Sequence, residues 1–177
     1  MRFFALAFSL LLSACWVGDS FYSERETVRA ISLGIYRAVG PRDPGETDLF
    51  RVVALPSGLT RFEPIGQPED AFVAGFAPLP GTERVFVAWL VEDGGDAIPR
   101  DSIPYGLVER QPDGSYRVFS PTCDEMGDVA ISAGAVRISD KFRFCRFPDR
   151  ASLETALRRI VPRLRAEGAR LIPVSND

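Results

Sequence analysis

From residue 31 onward, short runs of apolar and β-branched residues are separated by glycine- and proline-bearing turns, the pattern of an antiparallel β-protein. Ile31-Ser32-Leu33-Gly34-Ile35-Tyr36-Arg37-Ala38-Val39 reads as the first strand, and residues 40–47, with Pro41, Pro44 and Gly45, as a loop. Val85-Phe86-Val87-Ala88-Trp89-Leu90-Val91 is continuously apolar, so it predicts a central strand or one buried on both faces, paired with Phe72-Val73-Ala74-Gly75-Phe76-Ala77. Tyr105–Val108, Tyr116–Phe119 and Phe142–Phe147 continue the sheet, and residues 129–138 add one more strand.

A weak internal repeat marks the turns. Leu55-Pro56-Ser57-Gly58 aligns with Gln111-Pro112-Asp113-Gly114, and Leu79-Pro80-Gly81 aligns with both after one deletion. Proline presets φ early in a turn and glycine takes a φ > 0 position, so each copy predicts a hairpin. Asp93-Gly94-Gly95-Asp96 is a further turn.

The helical period appears near the end. Leu153, Leu157, Ile160 and Leu164 form one stripe, with Asp149 or Ser152 as N-cap, Gly168 as C-cap and a helix over about 150–167. Pro162 predicts a kink or split. Leu171-Ile172-Pro173-Val174 predicts a short terminal strand or an apolar tail, at best an edge because of Pro173.

The fold class expected is therefore mainly β with one C-terminal α-helix: an antiparallel meander of seven or eight strands forming a barrel or a sandwich. The layout is loosely similar to the lipocalin-like barrel (strands, then a helix, one disulfide), with Gly34-Ile35-Tyr36 where that family has Gly-x-Trp.

The first residues follow a different logic. Arg2 precedes the apolar run Phe3–Leu12, which is too short to span a bilayer but fits the core of a signal peptide. Leu12-Ser13-Ala14-Cys15 then resembles the lipobox of bacterial lipoproteins, the substrates of signal peptidase II. That resemblance implies cleavage before Cys15 and a diacylglyceryl thioether on its sulfur, with the thiolate as the nucleophile. It gives a signal peptide over 1–14, a lipidated tether over 15–29 and one β-rich domain over 30–177. Trp16 rather than aspartate after the cysteine leans the resemblance toward the outer membrane, on the periplasmic face. In such an oxidising compartment the remaining cysteines, Cys123 and Cys145, are expected to form a disulfide.

Composition narrows the chemistry. The chain has 177 residues, enough for one domain, and contains no histidine, which removes histidine triads, bases and metal ligands. A net charge of −3 supplies no basic footprint for nucleic acid. No phosphate-cradling glycine loop is present, and neither a cofactor nor a metal is expected. Ser139-Asp140-Lys141 lacks the geometry of a Ser-Lys dyad, because strand neighbours face opposite ways. The acidic clusters Asp124, Glu125, Asp128 and Glu92, Asp93, Asp96 lack calcium-loop spacing and read as solvated turn acids. The 13 phenylalanines read as core, or as the lining of an aromatic pocket inside a barrel.

Charge is polarised along the chain. Residues 15–140 carry eleven arginines against twenty acids, whereas residues 141–177 carry nine cations against four acids. Arg150, Arg158, Arg159, Arg163, Arg165 and Arg170 therefore form either a basic surface for anionic head groups or a solvated and paired helix face, the latter being the usual case. The expected function is a lipid-anchored, non-enzymatic binding or scaffold domain of the cell envelope, whose partners are membrane lipid through Cys15 and an envelope ligand or protein. The alternatives are an envelope-polymer hydrolase acting through two carboxylates and a protein inhibitor of such an enzyme. The first requires carboxylates converging in a cleft, and the second a projecting loop at 93–104 or 121–128.

Overall fold

The computed structural model describes residues 16–41, 47–91, 102–138 and 144–174. Cys15, the Asp93–Asp96 turn and Ser139-Asp140-Lys141 lie outside the described residues. In chain order the elements are β1 (Trp16–Gly18), β2 (Gly34–Val39), β3 (Thr47–Ala54), β4 (Thr60–Pro64), β5 (Phe72–Pro78), β6 (Val85–Val91), β7 (Ile103–Arg110), β8 (Tyr116–Phe119), α1 (Cys123–Ser132), β9 (Val136–Arg137), β10 (Cys145–Arg146), α2 (Arg150–Glu167) and β11 (Ala169–Pro173).

Eight of these strands close into an antiparallel barrel rather than a sandwich. Neighbours run β2-β3-β4-β5-β6-β7-β8-β11, and β11 pairs back onto β2 to complete the circle. Both helices lie between the seventh and the last barrel strand, so the chain leaves the barrel after β8 and returns to close it.

The three proline-glycine turns sit at one end of the barrel, and their glycines take nearly the same positive φ: 86° at Gly58, 82° at Gly81 and 80° at Gly114. In the longer copies the glycine N–H donates to the residue before the proline, Leu55 O at 3.0 Å and Gln111 O at 3.2 Å. In the shorter copy the bond comes from Thr82 N–H to Leu79 O, placing Gly81 at the third turn position.

Strand alternation divides the apolar side chains between two cores. Inside the barrel, Tyr36, Phe50, Val52, Phe62, Ala74, Phe76, Val108 and Tyr116 form one buried cluster. Outside it, Ala77, Val85, Val87, Trp89, Tyr105 and Leu107 pack under Leu153, Leu157, Ile160 and Leu164 of α2. The continuously apolar β6 is thus covered on both faces, one inside the barrel and one under the helix.

Several expectations are corrected. Residues 123–132 are helical with a kink at Met126, and only Val136 and Arg137 of the stretch expected as a strand form one. The cause is capping: Thr122 Oγ1 accepts from Glu125 N–H at 3.2 Å, and Asp124 and Glu125 complement the helix dipole. β10 does not extend the barrel but pairs parallel with β1, in a side sheet that also holds β9. β11 is not an edge, since it pairs on both sides. Val174 N–H donates to Ile35 O of β2 at 2.9 Å, so the preceding Pro173 turns its N–H-less nitrogen away from β2, toward β8, whose pairing has already ended at Leu171. α2 runs unbroken through Pro162, which is exposed, so water can solvate the carbonyl that proline leaves unpaired. Gly168 caps it in an extended conformation and is needed for space: a β-carbon there would lie 2.5 Å from Leu164 O.

The segment expected as a tether is folded against the barrel from Trp16 onward. Trp16 is fully buried and Tyr22 is 3% exposed. β1 pairs with β7 through Val17 and Pro104, Trp16 meets Phe147 edge-on at 5.2 Å, and Tyr22 stacks on Trp89 at 5.0 Å. The disulfide joins Cys123 to Cys145 (Cα–Cα 5.3 Å), fastening the first turn of α1 to β10.

Candidate functional site

The inward wall of the barrel is almost wholly apolar, and its two ends differ. At the end carrying the proline-glycine turns, residues 28–32 close the opening. Val28 N–H donates to Phe76 O at 2.8 Å, and Ala30 and Ile31 are buried in the inner cluster. Arg110 Nη2 donates to Ala30 O at 2.8 Å, while its guanidinium lies 5.8 Å from the Phe86 ring centroid.

Polar side chains form a hydrogen-bonded cluster at this plug. Ser32 N–H donates to the Tyr116 hydroxyl at 3.0 Å, Tyr116 donates to Ser32 Oγ at 3.2 Å, and Tyr36 donates to Ser32 O at 3.0 Å. Burial, with Tyr116 beside it, pushes the Tyr36 hydroxyl up to about 12. For Tyr116 burial acts upward, but the Ser32 hydrogen bonds and the Arg110 charge outweigh it and lower the pKa. The two hydroxyls serve as hydrogen-bond fasteners of the plug.

Part of the inner wall retains access to solvent. Ala38, Phe72, Phe86, Ala88, Val118 and Leu171 pack against the inner cluster yet are only half-buried. Ala88 is the informative one. It lies mid-strand in β6 and pairs with Phe76 on one side and Gly106 on the other, so its exposure does not arise at a strand end or an open sheet edge. Aromatic rings surround the space: Phe62 stacks on Phe72 at 4.8 Å, and Phe50 and Phe76 meet these two rings edge-on at 6.4 and 6.3 Å.

No family model matches this chain, and neither a curated protein nor a solved structure does. Function is therefore argued from the geometry.

The six arginines are distributed along α2 and the strand after it, each with a partner. Arg150 binds Glu26 at 2.5 Å and Glu154 at 2.7 Å, with its guanidinium 4.2 Å from the Tyr22 ring centroid. Arg158 reaches Glu154 at 3.9 Å, Arg159 donates to Ser132 Oγ at 2.8 Å, and Arg163 pairs with Glu167. Arg165 clamps the buried Glu109 at 2.7 Å, and Arg170 faces Asp113 at 3.5 Å.

An open groove of about 610 Å³ lies where the turn at 79–84 and the turn at 111–115 meet α2; Glu83, Arg84, Glu109, Arg158 and Arg165 line it. Its buried acid, Glu109, accepts from Arg165 and from Gln111 Nε2 at 3.1 Å. Shifted carboxylates elsewhere, Glu26, Asp113 and Asp149, all move downward, held ionised chiefly by hydrogen bonds from Ser23, Ser115 and Ser152. Among the described residues no group of three Cys, Asp or Glu gathers as a metal site. Of the loops considered for an inhibitor, 121–128 is taken up by the start of α1, and most of 93–104 lies outside the described residues.

Sequence reasoning named the phenylalanines as a lining but missed the plug, reading residues 28–29 as tether and residues 31–32 as the start of a strand. The signal was present: Ser32 interrupts the apolar run, and Gly34 carries φ 149° at the point where the chain turns into β2.

Proposed function

We propose that this protein is a lipid-anchored binding protein of the bacterial cell envelope, held by Cys15 on the periplasmic face, in the outer membrane by preference, and that its barrel takes up an apolar ligand without chemical turnover. The anchor rests on the resemblance of Leu12-Ser13-Ala14-Cys15 to a lipobox. The binding role is carried by one observation: Ala88 faces inward from the middle of a strand bonded on both flanks and is still reached by solvent. Among the described residues this interior is mostly apolar and aromatic, with Asp48 as an inward acid beside Ala38 at the end away from the plug, and it suits a hydrocarbon or lipid-like ligand.

The end at which the chain enters the fold favours the same reading. β1 joins β7 at Ile103 and Pro104, at the end opposite the plug, so the proposed anchor leaves the fold at the end of the barrel that residues 28–32 do not close. A ligand drawn from the bilayer would have a short path.

The test uses the full chain purified from membranes, with organic extraction and mass spectrometry of what it carries. In parallel, an environment-sensitive naphthalene sulfonate probe is titrated into the native protein and into Ala88→Leu, which adds bulk to the inner wall. The reading predicts a co-purifying apolar molecule and clear loss of probe affinity in Ala88→Leu, with Leu49→Ser on the outer wall unchanged. Equal probe binding by all three proteins, with nothing extracted, would refute it.

A further inference from the structure

The side sheet formed by β1, β10 and β9 has two unlike faces. Trp16, Cys145 and Arg137 are cross-strand neighbours and share one face. That face is turned to α1, where Cys145 is bridged to Cys123 and the Arg137 guanidinium fills the space beside Gly127, 2.6 Å from where a β-carbon would lie. The opposite face carries Val17, Arg146 and Val136, and Ile138 follows Val136 at the strand period. Ile138 N–H donates to Phe144 O at 3.1 Å, extending the pairing one step past the point where Trp16 begins β1.

On this face Val136 is 66% exposed and Ile138 is 49% exposed, on a strand that forms the outer edge of the sheet. Ile131, near the end of α1, is 47% exposed. Bare apolar side chains on an edge strand invite unwanted pairing unless something covers them.

The length of free chain identifies the cover. Trp16 is fully buried, and Cys15 is bonded directly to it, about 3.8 Å away from Cα to Cα. A lipid on Cys15 therefore has no linker, and the surface surrounding the start of β1 must rest against the bilayer. Among the described residues one cation lies on this face, Arg146, cross-strand from Val17 and Val136. Cations beside a membrane surface favour anionic head groups. Arg146 also binds Asp19 at 3.1 Å, which fixes it on this side of the fold.

We propose that the face of the side sheet bearing Val136 and Ile138 is a membrane-docking surface, seated in the head-group region of an anionic phospholipid bilayer. This orients the barrel instead of leaving it to swing from its anchor. The inference rests on the anchor proposed above.

The experiment places a photoreactive diazirine analogue of leucine at position 136, at 138 or at 49 in the full chain, produced in an exporting bacterial host. Leu49 is the control, because it is 40% exposed on β3, across the barrel from β7. Membranes are irradiated, adducts are identified by mass spectrometry, and acylation of Cys15 is measured in the same samples. Phospholipid adducts at 136 and 138, and none above background at 49, are expected. Acylated, disulfide-bonded protein with no lipid adduct at 136 and 138, or with equal adducts at 49, overturns the docking surface while leaving the anchor intact. A polypeptide adduct at 136 also overturns it, in favour of a protein partner. Unacylated Cys15 with lipid adducts at 136 overturns the anchor and leaves the surface standing; unacylated Cys15 without them overturns both.

Discussion

Trp89 lies flat across Gly75, its cross-strand neighbour, so closely that a β-carbon on residue 75 would stand 2.2 Å from the indole Cε2. The ring cannot lift away, because Tyr22 is stacked on it at 5.0 Å. Gly75→Ala should therefore destabilise the protein by about 1–3 kcal/mol, as overpacking does, although alanine suits a strand better than glycine. Denaturant unfolding and near-ultraviolet circular dichroism check this. Unchanged stability with an unchanged tryptophan signal would mean that the Tyr22–Trp89 stack is not rigid.

Tyr22 also links the N-terminal segment to α2. Its hydroxyl donates to Glu154 Oε1 at 3.0 Å, and Arg150 bridges Glu154 to Glu26. The Ser23 backbone N–H, followed by the Arg150 side chain, holds the Glu26 carboxyl down to about 2. A carboxylate with a lowered pKa stabilises the fold above its unfolded value, about 4.3, and that contribution is lost as pH falls toward the folded value. Amide protection in residues 22–26, taken relative to the intrinsic exchange rate at each pH, should fall between about pH 4 and 2. Glu26→Gln should show fast exchange already at neutral pH and no such acid step. Asp149, lowered by its cap on Ser152 N–H, titrates in the same direction and is separated by Asp149→Asn.

The disulfide closes a loop between positions 22 apart in sequence and fastens the side sheet to α1. In the chain-entropy account a loop of this size contributes roughly 3 kcal/mol. Cys123→Ala with Cys145→Ala should lower stability by about that amount. Protection should be lost first in β9 and β10, whose described pairings span only two residues each. The barrel, closed on itself by continuous ladders, should keep its slow amides. Uniform loss of protection throughout the chain would show that the side sheet and the barrel unfold as one unit.

What the sequence reveals here depends on how local the cause is. The turns at Gly58, Gly81 and Gly114 are legible because proline and glycine impose φ within a few residues. The stripe Leu153, Leu157, Ile160 and Leu164 is legible because its period is that of a helix and all four are buried. α1 is written in a capping box, Thr122-Cys123-Asp124-Glu125, which is easily outvoted by the β-branched residues further on. The burial of Trp16, Val17 and Tyr22 is hidden by composition: the exposed polar residues of 19–26 outnumber them, and only the outer wall of β6 and β7 shows where Tyr22 goes. Closure of the barrel is not legible at all, because inward and outward alternation is the same in a sandwich. The accessible inner wall at Ala88 follows from closure, so it too was beyond the sequence.

The cap at Thr122 gives a direct check on α1. Its Oγ1 satisfies the Glu125 N–H, one of the unpaired donors of the first turn, and removing a cap of this kind costs about 1 kcal/mol. Thr122→Ala should lower stability by that amount and Thr122→Ser should not. Because Cys123 is the next residue, Thr122→Ala should also make the disulfide easier to reduce. Equal stability of the two variants would show that tertiary contacts of Met126 and Ala130 hold the helix without its cap.

Replacing Cys15 with alanine separates anchoring from folding. Trp16 is held by Phe147 and by the side sheet, and none of those contacts uses the Cys15 side chain. The Cys15→Ala chain should therefore fold with an unchanged melting temperature and an intact disulfide, but lose its acyl label and move from the membrane pellet to the soluble envelope fraction. Salt dependence adds a second readout. If Val136 and Ile138 do contact lipid, the unanchored chain should still bind vesicles containing phosphatidylglycerol weakly at low ionic strength and release them as salt is raised. Such residual binding should be absent with neutral phosphatidylcholine vesicles. Membrane pelleting and acyl labelling as strong as in the native chain would rule out Cys15 as the attachment point.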